Sequence, residues 1–113
     1  AKNGRNVYPE EIESLITLSP YVLESMVYAK PDPREGDDVL VAAIIVPAVE
    51  YINATHGQGT LTAEEIQELI QNVVRRVNDM LPGFKRIRDI SIRETEFIKT
   101  TTKKIKRYME KPV

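Results

Sequence analysis

Residues 62–81 carry the strongest periodic signal in the chain. Ile66, Leu69, Ile70, Val73, Val74, Val77 and Leu81 recur at helical spacing on one stripe, with Glu64, Glu68, Arg75, Arg76 and Asp79 opposite. Thr62 and Glu65 have the spacing of a capping box, and Pro82-Gly83 ends the pattern. This predicts a helix over 62–81 whose stripe is core. A second helix is expected over 9–18. Pro9 suits its first turn, Glu10, Glu11 and Glu13 favour the positive end of its dipole, and Ile12, Leu15 and Ile16 share a face. The residue before Pro20 should end it.

The remaining apolar positions follow strand patterns. From Val22 to Ala29, Met26 and Tyr28 fall on one face and Val27 on the other. Pro31 to Asp37 is a turn by composition. Val39 to Val46 is almost continuously apolar and stops at Pro47, which predicts a central strand buried on both faces. These two strands are expected to pair as an antiparallel hairpin. Residues 48–60 read as an irregular connection. Ile87, Ile90 and Ile92 alternate with Asp89, Ser91 and Arg93 as a third strand with one face inward. A short terminal helix is expected from Thr102 or Lys103 to Met109. The fold class is therefore α+β. A small sheet of about three strands, at 22–30, 38–47 and 87–93, packs against helices 9–18 and 62–81.

Composition narrows the chemistry. With 113 residues, 42% hydrophobic and 29% charged, the chain is one globular domain by length. It has no cysteine, which excludes a disulfide framework, a thiolate metal site and a cysteine nucleophile. His56 is the single histidine, so no second imidazole completes a common zinc site. No apolar run approaches the roughly 20 residues that span a bilayer. The chain begins without methionine in an Asn/Gly/Lys segment, which suggests a piece of a longer protein.

The net charge of −1 hides a strong asymmetry: residues 1–83 sum to −7 and residues 84–107 to +6. A basic quarter on an acidic body suggests an anion site, such as one for a phosphate-bearing ligand or a nucleic acid. Internal charge pairing across the fold is the alternative. Phe97 to Arg107 holds five cations and no acid, and its three threonines favour a loop. Such a loop can carry an ammonium group to an anion. Lys99, Lys103, Lys104, Lys106 and Arg107 all qualify, and the residues alone do not choose among them. No Ser/His/Asp set and no phosphate-cradling glycine loop is present. First-turn carboxylates such as Glu10, Glu11 and Glu13 read as helix supports.

Two motifs do choose. Gly4-Arg5-Asn6-Val7-Tyr8-Pro9-Glu10-Glu11-Ile12-Glu13 resembles the opening of the C-terminal domain of AMP-forming acyl-CoA synthetases, and its wording is most like the long-chain fatty acid–CoA ligases. Lys99-Thr100-Thr101-Thr102-Lys103-Lys104-Ile105-Lys106-Arg107 aligns with that domain's closing signature, Lys-Thr-x-x-Gly-Lys-hydrophobic-x-Arg. The resemblance covers essentially the whole chain. It departs from the family where Lys103 replaces the signature glycine and where residues 48–60 run longer.

The resemblance implies an enzyme, an acid–thiol ligase working in two steps. A carboxylate attacks the α-phosphate of ATP to give acyl-AMP and pyrophosphate, and the thiol of coenzyme A then displaces AMP. Lys104 falls on the family's catalytic lysine. Gly4, Arg5 and Asn6 form the loop that would face the coenzyme A channel in the second step. Lys99, Lys103 and Arg107 are further phosphate contacts or supports. ATP, magnesium and the fatty acid would be held mainly by the protein's own N-terminal domain, with the small domain as a mobile lid that is inactive alone. A cytoplasmic location is expected, with no transmembrane segment and no specific nucleic acid, and a soluble and a membrane-peripheral intact enzyme both stay open. A basic-striped nucleic-acid module and a non-catalytic interaction domain are the alternatives. Few aromatics, Phe84 and Phe97, are available in the basic stretch to stack on bases.

Overall fold

The computed structural model describes residues 6–57, 59–110 and 112. The order is α1 (Pro9–Ile16), β1 (Val22–Pro31), β2 (Val39–Pro47), α2 (Val49–His56), α3 (Ala63–Asp79), a 3-10 turn (Gly83–Lys85), β3 (Ile87–Ile92) and α4 (Arg107–Glu110). The expected α+β class, the three strands and the two main helices are all present.

The sheet has the order β1-β2-β3. β1 and β2 pair antiparallel, as the hairpin reading requires, whereas β3 lies parallel to β2. A parallel neighbour needs a long crossover. Here α2 and α3 supply it. β2 is central and buried from Val41 to Pro47, which is why its sequence is apolar without alternation.

One sheet face packs under helices. Ile12 and Ile16 of α1 and Ile70, Val73, Val74 and Val77 of α3 meet Val22, Val27, Val41, Ala43, Ile45 and Ile87. The α3 stripe is thus core, and Thr62 and Glu65 form the full reciprocal capping box. Asn78 near the end of α3 fastens β3: its Oδ1 accepts the Ile87 N–H at 2.8 Å and its Nδ2 donates to Ile87 O at 3.0 Å.

The other face is covered differently. Met26, Ile44 and Val46 pack against Phe97, with Tyr28 and Ile105 at the margin. Among the described residues neither α1 nor α3 covers it. A bulge between Val22 and Glu24 makes this face possible. It leaves Leu23 exposed and turns Glu24 to the Phe97 side.

Three expectations need correction. Residues 48–60 are not wholly irregular, because α2 occupies Val49–His56. Only Ile52 is buried in it, too little apolar content for a visible stripe. Its signal was Gly57 after it, left-handed at φ 64°. Helix α1 ends at Ile16 rather than residue 18. There the Thr17 hydroxyl and N–H both turn back to Glu13 O, at 3.0 and 2.9 Å. The terminal helix starts at Arg107 rather than at residue 102 or 103, because residues 99–105 form a hairpin loop instead.

Candidate functional site

The basic run folds into a small pinned loop. Lys99 and Ile105 form an antiparallel bridge. Within it, the Thr100 N–H donates to Lys104 O at 2.8 Å and the Lys103 N–H to Thr100 O at 2.9 Å. The Lys104 N–H reaches Thr100 Oγ1 at 3.2 Å, and below the bridge the Lys106 N–H donates to Ile98 O at 2.8 Å. Threonines suit this loop because their hydroxyls accept backbone N–H groups that a helix would otherwise take.

Lys103 sits at φ 66°, and among the described residues it is the only non-glycine with positive φ. That conformation costs an L-residue roughly 1–2 kcal/mol. It is the position where the signature carries glycine. Lysine stands there in place of glycine and bears the strain. Lys103 and Lys104 are both exposed at the tip and make no ion pair among the described residues.

The legs of the loop are tied by carboxylates from elsewhere in the fold. Glu24 of β1, only 9% exposed, accepts the Phe97 N–H at 2.9 Å and the Lys99 ammonium at 2.7 Å. Glu13 of α1 takes the Arg107 guanidinium in a two-pronged pair at 2.7 and 2.8 Å, and also accepts the Val27 N–H at 2.7 Å. Glu110 of α4 accepts Arg93 at 3.0 and 3.2 Å and the Ile98 N–H at 2.6 Å. Arg93 also lies over the Phe97 ring, 4.4 Å from its centre.

These contacts set the charge states. The hydrogen bond to Glu24 raises the Lys99 pKa above its ordinary value, against the opposing effect of burial. Glu13 does the same for Arg107. The Arg93 hydrogen bond, then the Ile98 N–H, holds the Glu110 carboxyl below its ordinary value.

Such a loop presents two ammonium groups on a scaffold fixed at both ends. Residues 11–104 match the model of the AMP-binding enzyme C-terminal domain. The chain belongs to that family. This AMP-binding C-terminal domain is 29% identical over 104 residues to the chloroplastic/peroxisomal 2-succinylbenzoate–CoA ligase of Arabidopsis thaliana, covering 92% of this chain and 18% of that protein. It is 41% identical over 44 residues to the medium/long-chain-fatty-acid–CoA/3-oxocholest-4-en-26-oate–CoA ligase of Mycobacterium marinum, covering 39% of this chain and 8% of that one. In three dimensions it is similar to a fatty acyl CoA synthetase of Mycobacterium tuberculosis, with a TM-score of 0.64 and 27% identity over 95% of this chain and 18% of that chain. The chain therefore spans less than a fifth of the length of each of these proteins.

Within the domain, Lys103 and Lys104 come together at the loop tip. Lys99 and Arg107 are occupied by Glu24 and Glu13, the geometry of supports. Gly4 and Arg5 lie outside the described residues. Asn6 is exposed ahead of α1, and no hydrogen bond or ion pair joins it to the lysine loop among the described residues. Sequence reasoning missed Glu24, Glu110 and the pairing role of Glu13. Glu24 had a usable signal, a lone carboxylate inside an apolar strand. Among the described residues no group of three or more His, Asp or Glu could hold a metal ion, and no helix is long and apolar enough to cross a membrane.

Proposed function

We propose that this domain is the C-terminal part of an ATP-dependent, AMP-forming acid–CoA ligase, and that Lys104 supplies the positive charge for acyl-adenylate formation. The observation that carries this is the left-handed Lys103 beside an exposed, unpaired Lys104 on a loop pinned at both legs. When the acid's carboxylate oxygen bonds to the α-phosphorus of ATP, the bond to the departing pyrophosphate breaks and negative charge gathers between the two reactants. The Lys104 ammonium neutralises that charge, and the pinned loop keeps its position fixed while it does so. ATP and magnesium are held by the ligase's larger N-terminal domain in this reading, and coenzyme A takes the acyl group in the second step beside the Gly4–Asn6 loop.

For the acid we propose a long-chain fatty acid, on the wording of residues 6–13 and the likeness to the Mycobacterium marinum ligase. The Arabidopsis thaliana relative bears a different acid in its name and matches a longer stretch, so the acid is tested directly. Octanoate, hexadecanoate, benzoate and 2-succinylbenzoate are each supplied with ATP, and pyrophosphate release is measured. Fastest release with hexadecanoate supports the fatty acid reading, and fastest release with either aromatic acid overturns it.

Lys104→Ala in the intact ligase should slow pyrophosphate release by about 10²–10³-fold, the loss expected for one transition-state charge partner. Conversion of pre-made acyl-AMP to acyl-CoA should be largely spared. Equal loss in both half-reactions would overturn the role assigned to Lys104. A nucleic-acid role has less support, because Arg93, Lys99 and Arg107 spend their charge on internal carboxylates.

A further inference from the structure

The sequence of the loop does not say which lysine belongs at its tip. Thr100, Thr101 and Thr102 are interchangeable as turn residues, and Lys103 and Lys104 are identical side chains. Slipping the strand by one residue would exchange one ammonium for the other, while placing Thr102 at the left-handed position and Lys104 at the place of Ile105. The register actually adopted is held further by contacts on the legs of the loop.

Glu24 supplies such a contact. It reaches from β1 to two points on the leg entering the loop: the Phe97 backbone at 2.9 Å and the Lys99 side chain at 2.7 Å. Those two points are two residues apart, so one carboxylate measures the chain's advance along the sheet. Phe97, 4% exposed, is seated on Met26, Ile44 and Val46 beneath. Lys99 then bridges to Ile105 and closes the loop. The pair is only partly buried, with the Lys99 side chain 28% exposed and also 3.4 Å from Glu96, so it adds little to stability, and fixing a register is the use that suits it.

We propose that Glu24 is a positioning residue that sets the register of the lysine loop, so that Lys104 rather than Lys103 is presented to the nucleotide. This rests on the reading of Lys104 given above. Glu24 touches no substrate in this role and acts through Phe97 and Lys99. Arg107 and Glu13 hold the departing leg and Glu110 holds the Ile98 N–H, whereas Glu24 grips both a backbone and a side-chain point of the entering leg.

The test uses the intact ligase with ATP and whichever acid of the panel above turns over fastest. Glu24→Ala should lower kcat of adenylate formation by about 10²-fold, the scale of a small misplacement of a catalytic group. The KM for ATP and the conversion of pre-made acyl-AMP should change little. The distinguishing readout is the pair of lysines. In the parent, Lys104→Ala should be damaging and Lys103→Ala mild. In the Glu24→Ala background, Lys103→Ala should become damaging and Lys104→Ala less so. Glu24→Gln keeps the shape and an acceptor for the Phe97 N–H, so it should fold even if Glu24→Ala does not, and should show the same change more weakly. If the two lysine substitutions keep their parental ratio in both Glu24 backgrounds, or if both half-reactions fall together, the register role is wrong. If Lys104→Ala is harmless in the parent, the reading of Lys104 fails first and takes this proposal with it. A selective Lys104→Ala defect with a harmless Glu24→Ala overturns only the proposal.

Discussion

Under α1 and α3, the sheet is covered by a continuous apolar layer in which Ile12, Ile16, Ile45 and Ile70 are essentially inaccessible. On its opposite face, Phe97 and Ile105 supply the apolar cover from outside the sheet, Glu24 and Glu110 hold the covering strap through ion pairs and backbone N–H groups, and Glu13 holds its end through Arg107. The first face gains its energy from area removed from water, which is non-directional. The second gains less energy per residue but fixes atoms at stated distances. Stability is thus concentrated on one face and positional accuracy on the other, where the lysine loop emerges.

Substitutions that separate the two faces should differ in size and in kind. The largest effect belongs to Ile70→Asp, which places an unpaired charge in the helix-covered layer. It should cost about 5 kcal/mol or more, the whole margin of a small domain, and calorimetry should show no cooperative unfolding. A transition like the parent's would mean that this face is not the stabilising one.

Next comes Phe97→Ala on the strap face, expected to cost about 3 kcal/mol by cavity and transfer terms. Amide hydrogen exchange should accelerate at Ile98 and Thr100 while α3 stays protected. Uniform loss of protection would show that the faces are not separable.

Arg107→Met should cost less, about 1–2 kcal/mol. A fully buried pair would lose more, but the Arg107 side chain is 39% exposed and partly screened, while Glu13 at 12% keeps the Val27 N–H. Chemical denaturation measures it, and the Glu13→Gln, Arg107→Met double variant should recover part of the loss.

Lys103→Gly should stabilise the strap by about 0.5–1 kcal/mol, since glycine adopts φ 66° without a Cβ penalty but starts from a freer unfolded chain. A measurable loss of stability would mean that the Lys103 side chain contributes a contact.

The smallest effect is acid sensitivity of the strap. Glu110 is held below the ordinary carboxyl value of 4.5 by Arg93 and the Ile98 N–H, so the unfolded chain binds the proton more readily. Its contribution is present above 4.5 and is lost as the pH falls through the lower folded value. Exchange of the Ile98 N–H should therefore rise on acidification before that of Ile70 does, and Glu110→Gln should remove the dependence.

The sequence by itself determined the elements whose physics is local. The α3 stripe, its Thr62–Glu65 cap and the apolar run of β2 were legible because helical and strand periods place side chains on faces without reference to anything distant. The lysine signature was legible as a motif, and so was the anomaly at Lys103. Only the tertiary structure decided the rest. The parallel placement of β3 depends on how a crossover packs. Helix α2 buries a single residue and leaves no stripe. Most of all, the partition of the basic run into paired and unpaired cations depends on carboxylates far away in the chain. Glu13 and Glu24 lie more than seventy residues from Arg107 and Lys99, and each reads locally as an ordinary acid in a helix turn or a strand. Charge pairing carries no periodicity, so nothing along the chain announces which acid will meet which base until the sheet and α1 bring them together.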